Sequence, residues 1–577
     1  MLRVLEFVAI AALTGVASTG SAQIAKKSRP TPQLVEMQAG TSANDIINRV
    51  IAREHEEMKI INSYRPIVET YVQVYNRKRD TTTFLTRDHY YLGQAELSDK
   101  KQFGYRSMLT KKDQYPQTGL VHEEFNPLGF VQMAYVDQGG FDKRHYAFQY
   151  VGREFLGEVR CVVFDLQPLA NAGPGRFYGR IWAEDKNDTI VRFNGVYLPV
   201  KHKGHYNSHF DSWRLNVNPD IWVPAYVFTE ETDLQTRQLQ IKYINDLDQL
   251  RFKAQTRFWG YDLKEPSHEQ EFSDLVVEAP SRGTERTVSL EERDQSPLQS
   301  QRVWQEQAEN NVLAALQKTG LLASAGEVDK ALGTVVNNLE VTNNLSLDPP
   351  VRCRVLMTST FDLFAVGHVI VISRGLLDVL PDEAALATML AQELGEIIVS
   401  KARPDRYAFY DIVQLQSLYA LRNFSFKLND RDLAASNQKA LALLRNSPYK
   451  DNLGTAGLFL KQLQENSRVL HFLVAPHLGN RVYVASELTS TAPSLQRENL
   501  NQVAALPLGA RIKVNPWTDE LELMKARPTP PLSTTEKMPL ELTPFMPYLT
   551  RYSKLSGDSA KVSLDRSDSA SSRTPNK

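Results

Sequence analysis

The residues best suited to chemistry lie in one passage, Phe361 to Val399, which reads FDLFAVGHVIVISRGLLDVLPDEAALATMLAQELGEIIV. Pro381 and Asp382 open a helix there, because a proline is tolerated in the first helical turn and an acidic side chain caps free backbone amides. On that helix Gln392 and Glu396 stand four apart and share a face, with Glu393 one step round. A helix holds zinc in this arrangement when two imidazoles four apart bind the ion and a glutamate after the first activates water. Here an amide and a carboxylate occupy the imidazole positions. Taken without their flanks, the five residues read equally as a helix with Gln and Glu turned to solvent.

The flanks carry a resemblance. Asp362-Leu363-Phe364-Ala365, Gly367, Gly375-Leu376-Leu377 and Gln392-Glu393-Leu394-Gly395-Glu396 follow the order and spacing of the gluzincin peptidases of the HtpX, CAAX prenyl endopeptidase and BepA type. The resemblance spans Val312 to Arg481. It implies a zinc-peptidase fold with Glu393 at the general-base position and with Gln392 and Glu396 at lost histidine ligands. Aligning the later Ala440-Leu441-Ala442-Leu443-Leu444 run puts Ala435 at the third ligand and Asn437 at a nearby aspartate position. His477 and Arg481 correspond to a downstream histidine and arginine, and Val369, Ile370, Val371 and Ile372 to the strand that pairs with an extended substrate.

Zinc held by a full ligand set is worth about 10–16 kcal/mol, a few kcal/mol per ligand. Replacing the set with amide, carboxylate and methyl lowers affinity by many powers of ten, so the resemblance implies a pseudopeptidase without a metal cofactor. The alternative is an active metalloendopeptidase with an unusual ligand set, in which Glu393, Glu396 and a histidine such as His368 hold zinc.

The rest of the chain must position these residues. Ala43 to Ser63 spaces Ile46, Ile47, Val50, Ile51, Met58 and Ile61 as an amphipathic helix. Its His55-Glu56-Glu57 is no metal motif, since Lys59 stands where a second histidine is needed. From Pro66 to Tyr261 the period becomes two, as in Val68, Thr70, Val72 and Val74, with further strand-like runs at Tyr146 to Tyr150, Cys161 to Leu166, Phe177 to Ala183, Thr189 to Phe193, Trp222 to Phe228 and Gln238 to Ile244. Gly179-Arg180-Ile181-Trp182, Ile190-Val191-Arg192, Phe210-Asp211-Ser212-Trp213-Arg214 and Trp222-Val223-Pro224 resemble strands of the LolA and RseB lipoprotein-carrier half-barrels. That similarity implies an apolar interior for acyl chains; a plain antiparallel core is the other reading. His202, His205 and His209 read as a solvated loop beside Lys201 and Lys203.

The expected fold class is therefore α+β. It comprises a signal peptide at 1–22, the helix at 43–63, a β-rich half-barrel-like domain at 66–261, a polar linker at 264–300, a mainly helical peptidase-like domain at 301–506, and a Pro/Ser-rich, partly disordered extension at 507–577. Met1-Leu2-Arg3, the apolar run Phe7 to Leu13 and Gly20-Ser21-Ala22 mark the signal, with cleavage after Ala22, so the mature chain is expected to be periplasmic or secreted.

The 577 residues carry 67 basic and 67 acidic side chains, which argues against nucleic-acid or anionic-membrane binding. No later segment reaches the 18 or more apolar residues of a membrane-spanning helix. Cys161 and Cys353 are expected as buried free thiols, with pairing as the alternative. Three functions follow: an exported pseudopeptidase that binds peptide, unfolded protein or lipoprotein in the cell envelope; an active metallopeptidase; or a lipid or lipoprotein carrier with a scaffold C-terminal domain.

Overall fold

Alternation with period two builds one sheet from the first half of the chain. The structure, a computed structural model, describes residues 43–77, 83–97, 103–109, 125–198, 208–230, 251–261, 309–400, 426–474, 478–480, 482, 486–496, 498–507, 512–514, 521–523 and 549. The signal peptide, the 264–300 linker, the Gln238 to Ile244 run, His202, His205, His477, Arg481 and the serine-rich end lie outside the described residues. Helix α1 (Ala43–Ile61) precedes strands β1 (Ile67–Arg77), β2 (Thr83–Leu97), β3 (Phe103–Ser107), β4 (Tyr146–Leu156), β5 (Val159–Pro168), β6 (Phe177–Glu184), β7 (Ile190–Tyr197), β8 (His209–Asn218), β9 (Ile221–Glu230) and β10 (Arg251–Trp259). The strands pair antiparallel throughout in the order β3-β2-β1-β10-β9-β8-β7-β6-β5-β4. A short helix, α2 (Pro127–Gln132), is capped by Asn126 and lies between β3 and β4.

The two faces of this sheet differ. On the inner face the rings of Phe177 and Phe193 meet at 5.7 Å and 87°, and those of Phe193 and Phe210 at 5.9 Å and 89°, edge-on geometry that aromatic quadrupoles favour. Gly179 and Gly195 face each other across β6 and β7, and any Cβ there would run into the Phe177 ring and the opposing backbone. On the outer face the Arg192 guanidinium sits 4.4 Å from the Trp182 ring and 4.2 Å from that of Trp213.

The second half is mainly helical around a small mixed sheet. Helix α3 (Glu327–Thr342) leads to β11 (Arg352–Leu356), β12 (Leu363–Val366) and β13 (Val369–Ser373), ordered β11-β13-β12. Then come α4 (Arg374–Val379), α5 (Glu383–Ser400), α6 (Asp430–Arg445), α7 (Leu453–Asn466) and the single turn α8 (His471–Val474). Asp382 Oδ1 accepts the Ala385 N–H at 2.8 Å and so starts α5 as its sequence predicts. Gly395 lets α6 cross α5 closely, since a Cβ there would stand 2.5 Å from the Ser436 carbonyl oxygen.

The two halves share one core. Ile67, Tyr71, Tyr90, Leu92 and Trp259 of the large sheet belong to the same apolar cluster as β13 and α5. Polar bonds cross with them: Glu69 accepts from Ser359 N at 2.6 Å and Ser359 Oγ at 2.8 Å, and Trp259 Nε1 donates to the Gly320 carbonyl at 2.9 Å. Part of the C-terminal extension is also built in, as the pair β14 (Ile512–Val514) and β15 (Leu521–Leu523) and a buried Leu549 against the outer face. Cys161 and Cys353 are both buried and free. No described helix is long and apolar enough to cross a membrane.

Candidate functional site

Helix α5 is apolar nearly all round, yet Gln392, Glu393 and Glu396 lie inside it at 6 %, 3 % and 5 % exposure. The reading of these side chains as solvent-facing is thereby corrected. They line a cavity of about 10 Å³, room for about one water, together with Leu363, Ser436 and Asn480. Two neighbours fix the helix from α6: Ser436 Oγ donates to the Gln392 carbonyl at 2.7 Å, and Gln392 Nε2 donates to Asn437 Oδ1 at 3.3 Å.

The far wall comes from the irregular segment between His477 and Arg481, at Asn480, a residue the resemblance did not mark. Asp362 Oδ1 accepts the Leu478 N–H at 3.1 Å, and Asn480 N–H reaches the Leu363 carbonyl at 3.3 Å, so residues 478–480 lie along β12. Asn480 Oδ1 then accepts Leu428 N–H at 2.7 Å, which turns its Nδ2 toward Glu396 Oε2 at 3.2 Å. Glu393 hydrogen-bonds Glu396, and burial, with the Glu396 charge adding to it, holds the Glu393 carboxyl well above the usual carboxylate range. A carboxyl pair in this setting shares one proton. Two oxygens of the set, Gln392 Oε1 and Glu393 Oε2, are buried without a partner.

The residues present do not fit zinc. The cavity offers no imidazole or thiolate, at least one of which protein zinc sites ordinarily supply beside any carboxylate, and among the described residues no group of three or more His, Cys, Asp or Glu is placed to hold a metal. Ala435 is half-buried and does not line the cavity; its neighbour Ser436 does. His368 sits at the β12–β13 turn, at the other end of the hairpin from Leu363, and pairs with buried Glu309 at 3.2 Å. It does not join Glu393. Val369, Ile370, Val371 and Ile372 are fully buried in the central strand, paired with β11 on one side and β12 on the other. An extended peptide therefore finds no open edge there, which corrects that expectation. His209 is exposed at the start of β8.

A second feature is the covered inner face of the large sheet. Helix α1 buries Ile46, Ile47, Val50 and Ile61 and turns Glu54 and Glu57 to the sheet, while residues 132–137 cover the Phe177–Tyr197 end, where Tyr197 donates to the Gln132 and Tyr135 carbonyls and Arg176 pairs with Asp137. Glu54 receives Arg214 Nη1 at 2.7 Å and Nη2 at 2.6 Å, both residues fully buried. Glu57 accepts the Trp222 N–H, and burial pushes its carboxyl up to about 7. Arg49 adds a bond to Asp188 at 2.6 Å and Arg53 one to Thr189 at 3.1 Å. The cover is thus tied down by polar groups at the rim and in the centre.

No protein-family model matches the chain, and no curated protein matches it in sequence. Among solved structures it is similar to a LolA superfamily protein from Nitrosomonas europaea, with 10 % identity and a TM-score of 0.18 over 38 % of this chain and 93 % of that one. It is likewise similar to a DUF1329 family protein from Desulfovibrio piger, with 11 % identity and a TM-score of 0.20 over 40 % and 98 %. At such TM-scores the likenesses fix neither activity nor ligand.

Proposed function

We propose that the chain is an exported, non-hydrolytic binding protein of the cell envelope that carries an acyl chain or the lipid of a lipoprotein beneath α1, with the helical half as scaffold. One observation carries this reading: an aromatic-lined sheet face covered partly by the segment 127–137, which Tyr197 holds through the Gln132 and Tyr135 carbonyls, and partly by α1, which polar bonds fasten. The apolar contributions are of similar size, with a further cost of about 3 kcal/mol for parting Arg214 from Glu54. The four aliphatic side chains of α1 on that face contribute roughly 1.5–3 kcal/mol each, or about 6–12 kcal/mol together. An acyl chain of about 16 carbons buries methylenes at ~0.8 kcal/mol apiece, about 12 kcal/mol, so lipid can take the place that α1 vacates.

The shared core of β1, β2 and β10 with the helical half keeps the sheet rigid while α1 moves. Hydrolysis forms no part of this reading, because the cavity beside Glu393 has no zinc-type donor set. The test is to purify the full chain from its membrane-containing lysate, extract it with organic solvent and weigh the lipid by mass spectrometry, then titrate delipidated protein with a dansyl fatty acid. About one lipid per chain and saturable probe fluorescence are expected. Lipid-free protein that also leaves the probe dark refutes the reading.

A further inference from the structure

The cavity under α5 fails as a zinc site in a particular way: what it lacks are nitrogen and sulfur donors, and what it holds in excess is oxygen. Gln392 Nε2 is tied to Asn437, which leaves Oε1 as the open end of that amide, buried and without a partner. Glu393 Oε2 is in the same condition. Glu396 stands beside Glu393 with Asn480 Nδ2 fixing one of its oxygens at 3.2 Å. Ser436 Oγ spends its proton on the Gln392 carbonyl at 2.7 Å and keeps its lone pairs for an acceptor role. All four side chains are more than nine-tenths buried and line one small space.

Unpartnered buried oxygens cost free energy of order 1–3 kcal/mol each, and two carboxyls in one cavity repel unless a proton or a cation lies between them. We propose that this cavity binds a hard divalent cation of the Mn²⁺ or Ca²⁺ kind, held by Gln392 Oε1, Glu393, Glu396 and Ser436 Oγ. Carbonyl, carboxylate and hydroxyl oxygens are the donors such ions select. The proton that Glu393 and Glu396 share leaves to solvent as the ion enters. Mg²⁺ is a poorer fit, because it keeps several waters and the cavity has room for about one. The ion ties α5 to α6 and stabilises the scaffold, whatever the large sheet binds.

The experiment uses the full chain stripped with EDTA and titrated with MnCl₂, following the loss of the free-Mn²⁺ electron paramagnetic resonance signal. The expected result is one Mn²⁺ per chain, displaced by CaCl₂ as an all-oxygen donor set requires. Glu393→Gln is expected to weaken Mn²⁺ at least thirtyfold, and Gln392→Leu at least tenfold. The second substitution introduces no charge and keeps the measurement decisive if the first disturbs folding. Absence of Mn²⁺ binding, failure of CaCl₂ to displace it, or binding unchanged in the folded variants overturns the assignment. None of these outcomes bears on lipid content, so failure here leaves the carrier reading to its own test.

Discussion

Glu54→Ala strikes the fastening of α1 at its centre. Arg214 is completely buried, and Glu54 supplies two of its bonds, at 2.7 and 2.6 Å. After truncation the guanidinium keeps the Ile190 carbonyl at 3.2 Å and the charge of Glu57 nearby. Breaking a buried ion pair costs about 3–5 kcal/mol, chiefly because the remaining charge is left desolvated. The surviving partners set the expected loss at the lower end, ~3 kcal/mol, more than one aliphatic residue of α1 contributes. Helix α1 should then detach before the sheet unfolds. Hydrogen exchange read by mass spectrometry over residues 43–61 is expected to quicken by about a hundredfold, since each ~1.4 kcal/mol is tenfold, while residues 177–197 keep their protection. The double variant Glu54→Met with Arg214→Met replaces both charges by apolar groups and should restore slow exchange. Unchanged exchange of α1 in the single variant, or equal lability in the double, refutes the latch.

Stability should depend on pH through Glu57, whose folded carboxyl sits at about 7 against an ordinary value of about 4.3. The folded state binds that proton more tightly, so the contribution is full below about pH 4 and is lost as pH rises through 7, amounting to ~3 kcal/mol at order of magnitude. Melting temperatures from pH 5 to 8 should fall, and Glu57→Gln should flatten part of that slope, leaving the part due to Asp88, which burial also lifts to about 7; a flat wild-type profile contradicts this. Gly395→Ala gains about 1 kcal/mol of helix propensity but drives a Cβ to 2.5 Å from the Ser436 carbonyl oxygen, so a net loss of ~1–3 kcal/mol is expected, and a raised melting temperature would speak against the close α5–α6 crossing. Cys353, buried and with its thiol pushed up to about 12, should resist iodoacetamide at pH 8 until denaturant is added; labelling of the native chain would show the core to be open.

What the sequence reveals depends on how local each cause is. The Asp382 cap, the common face of Gln392 and Glu396, and most strands between Tyr146 and Glu230 follow from neighbours within a few positions, and the structure has them. Ala435 is one residue off because it rests on matching a distant pattern. The buried stripe of α6, Ala440, Leu443 and Leu444, extrapolates back at helical spacing to Ser436. The run Val369 to Ile372 carries its own warning, since four apolar residues without alternation suit a strand covered on both faces rather than an open edge. Asn480 itself is not marked, although the resemblance picks out His477 and Arg481 on either side of it: it stands 84 positions from Glu396, in a segment without period, and is placed by Asp362 and the backbone of β12.

The same reasoning separates the two features of the molecule. On α1 the buried face runs Val50, Glu54, Glu57, Ile61, a regular stripe in which the two central positions are acids. A helix intended only as a permanent part of the core would place leucines there, because buried ion pairs stabilise less than apolar residues of equal volume. Acids on the covered face, answered by Arg214 and the Trp222 amide, make part of the hold on α1 depend on a few specific bonds and on the protonation of Glu57 near neutrality. The acids of α5 are arranged otherwise. Glu393 and Glu396 are hydrogen-bonded side by side on a small space closed by α6 and residues 478–480, where nothing as large as a peptide or an acyl chain enters. A water, a small ion or a proton is all that a space of that scale admits.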